Sequence, residues 1–214
     1  MSVWLLFLFF VPVEAHAEEP PVPPPVYQSR DVFIYDNRRV ERLVSIEGEE
    51  VTWATLKGRE YVRSRNFFLP TLRWRTKRYS GVRRIYGNAG ELWPLEEGKR
   101  VRYRVVSEKT DRKKSQVKRK SEFWRCDVEG FEILTVKAGM YGAHKIVCDR
   151  YSPSSMKLLK RKVWHYAPEI EHYIKYQVQS YITAKTEEYE LVATLPRRKA
   201  NPSRINQILA SIKQ

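Results

Sequence analysis

Two histidine-containing segments carry the side chains with the clearest potential for chemistry. His144 and Cys148 are four residues apart in a segment whose alternating pattern predicts a β-strand. In an extended strand these side chains share a face but lie about 13 Å apart. A hydrogen-bonded nucleophile and base need a separation of about 3 Å. The spacing therefore argues against a Cys–His catalytic pair.

The other segment, residues 165–172, reads HYAPEIEH. Pro168 interrupts it, and its spacing matches no established zinc pattern. Residues 152–155 lack the surroundings of a nucleophile elbow, and residues 87–90 lack the Lys-Ser/Thr pair of a phosphate-binding loop. The sequence thus predicts no catalytic residue, no metal site, no cofactor and no enzymatic activity. A hydrolase whose carboxylates converge only in the fold is the least favoured alternative.

Cys126 and Cys148 are the only cysteines in the chain. In an oxidising compartment one disulfide is the default, and it would contribute about 3 kcal/mol by closing a loop of about twenty residues. If segments 122–128, 131–136 and 143–151 form a three-strand meander, the cysteines lie about 9–10 Å apart, which a disulfide cannot span. The bridge then needs a sharp twist, a change of sheet or another strand order. Two free buried thiols are the alternative.

The N-terminus indicates the compartment. Residues 3–13 read VWLLFLFFVPV and precede Ala15-His16-Ala17, which has the A-x-A form of a cleavage site. The apolar run spans about 17 Å as a helix, too short for a hydrocarbon core of about 30 Å. We predict a signal peptide at 1–17 and a periplasmic protein with no transmembrane span in its mature form. An uncleaved anchor or a buried helix is the alternative.

The charge of the chain favours anionic partners. Lys and Arg number 40 against 25 Asp and Glu, a net charge of +15. In an exported protein the partner would be an anionic envelope component (a lipid headgroup, lipopolysaccharide or a cell-wall polymer) or an envelope protein, and nucleic acid is disfavoured. The candidate anion-binding residues form basic faces, which are Arg100, Arg102, Arg104, Lys113, Lys114, Lys118, Arg119 and Lys120, together with Lys160, Arg161 and Lys162. The alternative is that these residues serve solubility alone.

Four tryptophans suggest a second function. Trp53, Trp74, Trp124 and Trp164 could line the concave face of a curved sheet and hold a lipid or another apolar ligand. Large aromatic side chains also fill ordinary cores. Carriage of an apolar ligand is therefore the alternative to a binding or structural role at anionic envelope surfaces.

The elements that would position these residues are mainly antiparallel strands. After a Pro-rich linker at 18–30, short β-branched and aromatic runs recur between turns. The spacing of the predicted strands and turns in residues 31–90 resembles that of a small SH3-like barrel. Residues 91–195 are predicted to form a curved sheet or half-barrel. The basic, turn-rich segment 75–90 is predicted as a loop between the two parts. From Arg100 to Glu108, apolar and basic residues alternate, which indicates one buried face and one cationic, wet face.

The chain ends, at residues 196–214, in a basic linker and one short amphipathic helix. Asn201 is a favoured N-cap and Pro202 suits the first helical position. Apolar residues follow at helical spacing, at positions 205, 208, 209 and 212. The helix is predicted to pack on the sheet or cover an edge, and docking to a partner or a membrane surface is the alternative.

Two stretches resemble a family of uncharacterised proteobacterial periplasmic proteins. Residues 137–141, KAGMY, followed by residues 145–148, KIVC, resemble that family's Pro-Ala-Gly-Thr-Phe element and the strand after it. Residues 163–169, VWHYAPE, followed by 172–174, HYI, resemble its Trp-Tyr-Ala-Pro…Tyr-Val element. The match departs at Lys137 and His165. The resemblance covers roughly residues 92–182 and implies an antiparallel clamshell or half-barrel, similar to periplasmic lipoprotein carriers, with no catalytic residues to transfer.

Overall fold

The computed structural model describes residues 21–28, 31–196 and 198–212. The predicted signal peptide and the first residues of the predicted linker lie outside this part of the chain. Among the helices that are described, none is long and apolar enough to cross a bilayer.

The described chain forms one closed antiparallel barrel of twelve strands. Each strand pairs with its neighbours along the chain, and the first strand closes the ring by pairing with the last. The strands are β1 Val32–Tyr35, β2 Val40–Glu47, β3 Glu50–Ala54, β4 Glu60–Ser64, β5 Arg73–Arg75, β6 Tyr79–Tyr86, β7 Arg100–Asp111, β8 Gln116–Val136, β9 Gly139–Tyr151, β10 Leu158–Ala167, β11 His172–Ser180 and β12 Lys185–Leu195. A 3-10 helix, Ala89–Leu92, lies between β6 and β7.

The predicted class, mainly β and antiparallel with one C-terminal helix, is confirmed, but the predicted division into a small barrel and a half-barrel is wrong. Segment 75–90, predicted as a loop, contains β6, which pairs with β7 from Tyr79–Asp111 to Tyr86–Arg104. The two predicted parts are therefore joined by a continuous ladder. Turn spacing reveals hairpins, but closure depends on pairing between β1 and β12, which are far apart in sequence.

The alternation predicted at β7 is confirmed. Val101, Tyr103 and Val105 are buried, whereas Arg100, Arg102 and Arg104 are exposed. Because β7 and β8 pair in unbroken register from Arg100–Asp127 to Asp111–Gln116, the same alternation continues across the ladder onto β8. Each strand therefore has an interior face and an outer face.

The disulfide is present, and the predicted obstacle to it is wrong. Segments 122–128 and 131–136 are not two strands but parts of β8, which continues through a register shift between Val128 and Gly130. Gly130 has a φ of +130°, which glycine tolerates at such a bulge. Residues 123–136 of β8 pair with β9, so Cys126 lies directly opposite Cys148 with a Cα–Cα distance of 4.0 Å, and the two are bridged.

The C-terminal helix α1, Pro202–Ser211, packs on the outside of the barrel. The side chain of Asn201 accepts a hydrogen bond from the Arg204 N–H at 2.8 Å, as an N-cap does. Ile205 and Leu209 are buried in a small cluster with Val32, Ile34 and Val40 of the first two strands. The predicted packing of the helix on the sheet is confirmed.

Candidate ligand-binding cavity

The interior face of β10 carries two lysines next to two core aromatic residues. Trp164 and Tyr166 belong to the main core. Because side chains alternate along a strand, Lys160 and Lys162 lie on the same interior face. Lys160 pairs with Arg150 on β9, so a third cation joins them. The barrel therefore places positive charge inside itself.

A cavity of about 200 Å³ lies at this part of the interior. Arg39, Arg63 and Lys162 line it, and no aspartate or glutamate is among its described lining residues. Much of the remaining wall is aromatic, formed by Phe67, Trp164, Tyr173, Tyr176 and Tyr189. The cavity thus combines cationic groups with flat apolar surfaces.

The Lys162 ammonium group has no ion pair or hydrogen bond with any residue in the described ranges. Its Nζ lies 5.2 Å from the ring centroid of Trp124 and 5.3 Å from that of Trp164, within cation–π range. Burial, together with the repulsion from nearby cations, lowers the pKa of Lys162 to about 7. Those cations are Arg63, Lys160, Arg83 and Arg150. A negatively charged group in the cavity would relieve this repulsion.

Two arginines of the cavity wall are held by one buried carboxylate, Glu41, whose side chain is inaccessible to solvent. Arg39 donates to Glu41 Oε1 from Nε at 2.8 Å and from Nη2 at 2.5 Å. Arg63 contacts the same oxygen at 3.0 Å and donates to Oε2 at 3.3 Å. Burial alone would raise the pKa of Glu41, but Arg63 and Arg39 hold it well below its ordinary value. The carboxylate thus fixes two guanidinium groups with one negative charge.

Further hydrogen bonds complete the surroundings of Glu41 on the core side. Tyr173 donates to Glu41 Oε2 at 2.7 Å, and Tyr61 donates to Oε1 at 3.2 Å. His172 Nε2 lies 3.3 Å from Oε2, and its Nδ1 lies 3.1 Å from the Tyr27 hydroxyl. Burial lowers the pKa of His172, so the ring is neutral at pH 7, with Nε2–H donating to Glu41 and Nδ1 accepting from Tyr27. This network anchors the cavity wall to the core.

A wider cleft of about 340 Å³ adjoins the cavity, because Arg39, Arg63 and Thr71 line both. The cleft is the more open of the two, and it reaches the turn between β3 and β4 at Thr55 and Arg59. Its charged lining residues are Arg39, Arg59, Arg63, Arg75 and Arg83 against a single acid, Glu60. The cleft next to the cavity is therefore cationic.

Trp74 forms part of this cleft through close packing on Gly81. A Cβ atom at Gly81 would lie 2.0 Å from Trp74 Cζ2, so the indole occupies the space of a side chain. The Arg83 guanidinium lies 4.2 Å from the centroid of the Trp74 ring and donates to the Thr71 carbonyl oxygen at 2.7 Å. Glycine at position 81 thus permits the stacked Trp–Arg pair.

The four predicted tryptophans lie at separate places on the interior face of the barrel. Trp124 and Trp164 flank Lys162, and Trp74 lines the cleft. Trp53 lies in the core, 1% exposed, with its ring edge-on to Tyr27. The structure brings two of the four together at Lys162, and only Trp164 of these lines the cavity.

The predicted anion-binding residues are also divided. Arg100, Arg102 and Arg104 lie on the outer face of β7, where Arg100 pairs with Asp127. Arg119 lies on the outer face of β8 and pairs with Glu108 at 3.2 Å. Lys113 and Lys114 lie in the turn between β7 and β8, whereas Lys118 and Lys120 lie on the interior face of β8.

Sequence reasoning missed Arg39, Glu41, Arg63 and Arg83. Glu41 lies in a strand that reads VERLVSIE. The sequence alone does not distinguish a glutamate that faces the barrel interior from one that faces solvent. Its partners come from β4 and β11, which only barrel closure brings together. Of the segments considered for chemistry, His165 contacts Glu132 at 3.0 Å, and no group of three metal-ligating side chains occurs in the part of the chain described.

No family model matches this sequence. No curated protein matches it either. The fold is similar to that of the hypothetical lipoprotein YmcC from Escherichia coli, with a TM-score of 0.50 and 12% identity over 78% of this chain and 84% of that one. A candidate exported protein with a YmcC-like fold from Bacteroides fragilis gives a TM-score of 0.43 at 12% identity, covering 83% of this chain and 100% of the other. At such low identity the likeness to YmcC shows a shared fold alone.

Proposed function

We propose that this protein is an exported, non-enzymatic envelope protein that binds an anionic ligand in its barrel cavity. The observation that carries the proposal is a lysine inside a cavity whose described lining includes two arginines and no acid. A charge withdrawn from water is costly unless it is paired. A bound anion would supply the pairing that the protein itself does not provide for Lys162.

The lining favours a compact anionic group attached to a flat or apolar part. The guanidinium groups of Arg39 and Arg63 suit bidentate contact with a phosphate or carboxylate, and Lys162 adds a point charge. Trp164, with the tyrosines beside it, offers ring faces for the remainder of the ligand. A wholly apolar ligand fits less well, because it would leave Lys162 without a counter-charge in the occupied cavity.

The export part of the proposal rests on the apolar leader, which precedes the described residues. The shared fold with a protein described as a lipoprotein agrees with an envelope location.

The outer basic residues support a second, weaker role at anionic envelope surfaces. Arg102, Lys113 and Lys114 are exposed, and among the described residues no carboxylate forms a salt bridge with them. Pull-down on anionic vesicles across a salt series tests this role, and absent or salt-insensitive binding contradicts it.

The cavity is tested by titrating the full mature protein with inorganic phosphate and with phenyl phosphate, using tryptophan fluorescence and calorimetry. Trp124 and Trp164 flank Lys162, so occupancy should change their emission. We expect both probes to bind, with phenyl phosphate the tighter of the two because the aromatic wall contacts its ring.

The variant Lys162→Met should weaken phenyl phosphate binding at least tenfold, about 1.4 kcal/mol. Lys113→Met is the matched control, because it removes the same charge from an exposed turn. Binding that is unchanged in Lys162→Met, or equally weakened in both variants, would contradict a cavity site. So would the absence of any binding to the wild-type protein.

A further inference from the structure

The cationic interior face does not stop at the cavity. Residues 116–122 of β8 pair with β7 but extend past β9, whose pairing with β8 begins at Phe123–Tyr151. On this extension Lys118 lies opposite Lys109 of β7, and both are exposed. Both lie on the same face as Trp124, because the register between β7 and β8 has no shift. The face that is buried at Trp124, inside the barrel, is therefore exposed to solvent at Lys109 and Lys118.

Basic side chains connect this open face to the cavity. Arg150 pairs with Trp124 on one side and with Lys160 on the other, and the adjacent row of the sheet joins Cys148 to Lys162. We call this set the interior cationic stripe, and its members are Lys109, Lys118, Lys120, Arg150, Lys160 and Lys162. From Lys118 to the row of Lys162 the strand spans eight residues, about 27 Å.

The acids on this face do not neutralise the stripe. Glu122 contacts Lys120 at 2.8 Å and Arg150 at 3.3 Å, and Asp111 contacts Arg78 at 3.1 Å. Glu187 of β12 lies on the same face, one row from Lys185. The Arg150 Nε atom is buried and has no hydrogen-bond partner in the described part of the chain. Positive charge therefore remains in excess along the stripe.

A second pocket of about 210 Å³ marks the outer end of the stripe. Its charged lining residues are four cations, Arg78, Lys109, Lys114 and Lys118, against a single acid, Asp111. The Lys109 Nζ lies 3.8 Å from the centroid of the Tyr79 ring, which orients this lysine. The stripe thus has a cationic pocket at each end, one in the open hairpin and one inside the barrel.

We propose that the ligand is a soluble, unbranched chain of repeated phosphate groups, which lies along the interior cationic stripe with one end in the cavity. This rests on the proposed function, because the cavity holds the terminal group. Anionic groups spaced along one chain would engage successive cations, and each further contact would form at a high effective concentration. The concave position of the stripe favours a narrow chain over a flat membrane surface.

The experiment compares inorganic phosphate, tripolyphosphate and long-chain polyphosphate as probes of the full mature protein. For the wild type, affinity should rise with chain length and fall steeply with salt, because each phosphate contact releases a counterion. The double variant Lys109→Gln/Lys118→Gln should lose at least tenfold in affinity for long-chain polyphosphate, with inorganic phosphate binding unchanged. The control Arg42→Gln/Arg84→Gln removes the same charge from exposed positions of β2 and β6 and should keep the length dependence.

The outcomes separate the two proposals. Phosphate binding that depends on Lys162 but shows no gain with chain length overturns the stripe and leaves the cavity site standing. Equal loss in both double variants also overturns the stripe, because it indicates a general charge effect. Displacement of bound long-chain polyphosphate by anionic vesicles would overturn the choice of a soluble chain.

Discussion

The interior of the barrel contains two charged regions that differ in how their charges are paired. Around Glu41, two arginines, two tyrosines and a histidine all contact the same carboxylate. Around Lys162, the nearby charged groups are other cations. Two neutral indole rings flank its ammonium group. A complete network of this kind stabilises a fold, whereas an incomplete one favours a ligand that completes it. This difference distinguishes the Glu41 region, which supports the fold, from the Lys162 region, which is the proposed ligand site.

The largest expected effect is from Glu41→Gln, which breaks the balanced region. Removing the charge from this fully buried site leaves Arg63 and the half-buried Arg39 without a counter-charge, so the free energy of unfolding should fall by about 3–5 kcal/mol. Denaturant unfolding measures this. The pKa of Glu41 is lowered in the folded state, so its contribution is full above the ordinary value of about 4.3 and declines as pH falls below it. The exposed Glu50→Gln serves as control, and equal losses would contradict the network's role.

The disulfide links the strands next to the unbalanced region, because Cys148 lies directly opposite Lys162 on β10. Replacing Cys126 and Cys148 with serine releases a loop closed across a sequence separation of 22. The free energy of unfolding should fall by about 3 kcal/mol. Denaturant unfolding of the oxidised wild type and the double variant measures the loss. Identical midpoints would show that the bridge does not stabilise the barrel.

Gly81→Ala tests the wall of the cleft. The new Cβ would lie 2.0 Å from Trp74, so the indole must move and its stacking with Arg83 is lost. We expect a loss of about 1–3 kcal/mol in the free energy of unfolding from this overpacking. Thermal unfolding measures it against Gly90→Ala, where the nearest atom to the new Cβ is 3.6 Å away. A larger loss in the control would contradict this packing.

Lys162→Met should have the smallest effect on the free energy of unfolding. It should raise this free energy, whereas the other variants lower it. Removing the unpaired charge should stabilise the protein at pH 6 by on the order of 1–2 kcal/mol. The pKa of Lys162 is about 7 in the folded protein, below about 10.4 in the unfolded chain. The unfolded state therefore binds more protons between these values, and the wild type gains stability as pH rises from 7 to 10.

The gain of Lys162→Met over the wild type should accordingly shrink from pH 6 towards pH 10. Denaturant midpoints of both proteins across this range measure the trend. A variant less stable than the wild type at pH 6 would show that Lys162 supports the fold rather than a ligand site.

Local patterns anticipated much of the fold. The alternation at Val101, Tyr103 and Val105 correctly assigned the faces of β7, and Asn201-Pro202 correctly located the start of α1. Hydrophobic period and capping depend on neighbours in the chain, so sequence carries them directly. The meander proposed for the cysteines failed because a bulge at Gly130 and a turn look alike in sequence.

The candidate site was anticipated only in pieces. Trp124, Trp164 and Lys162 were singled out separately, as aromatic and basic residues, without any sign that they meet. Glu41, Arg39 and Arg63 were not singled out at all, because a charged residue on a strand looks the same in sequence whether its face is buried or wet.

Residue types and their local order established the strands, the helix, the excess of positive charge and the presence of two cysteines able to pair. Closure of the barrel established which of those charges are balanced. It brings Glu41 on β2 to Arg63 on β4 and Tyr173 on β11, and it leaves Lys162 among other cations. Charge balance depends on distances across the barrel, and these are set by pairing between strands that are remote in the chain.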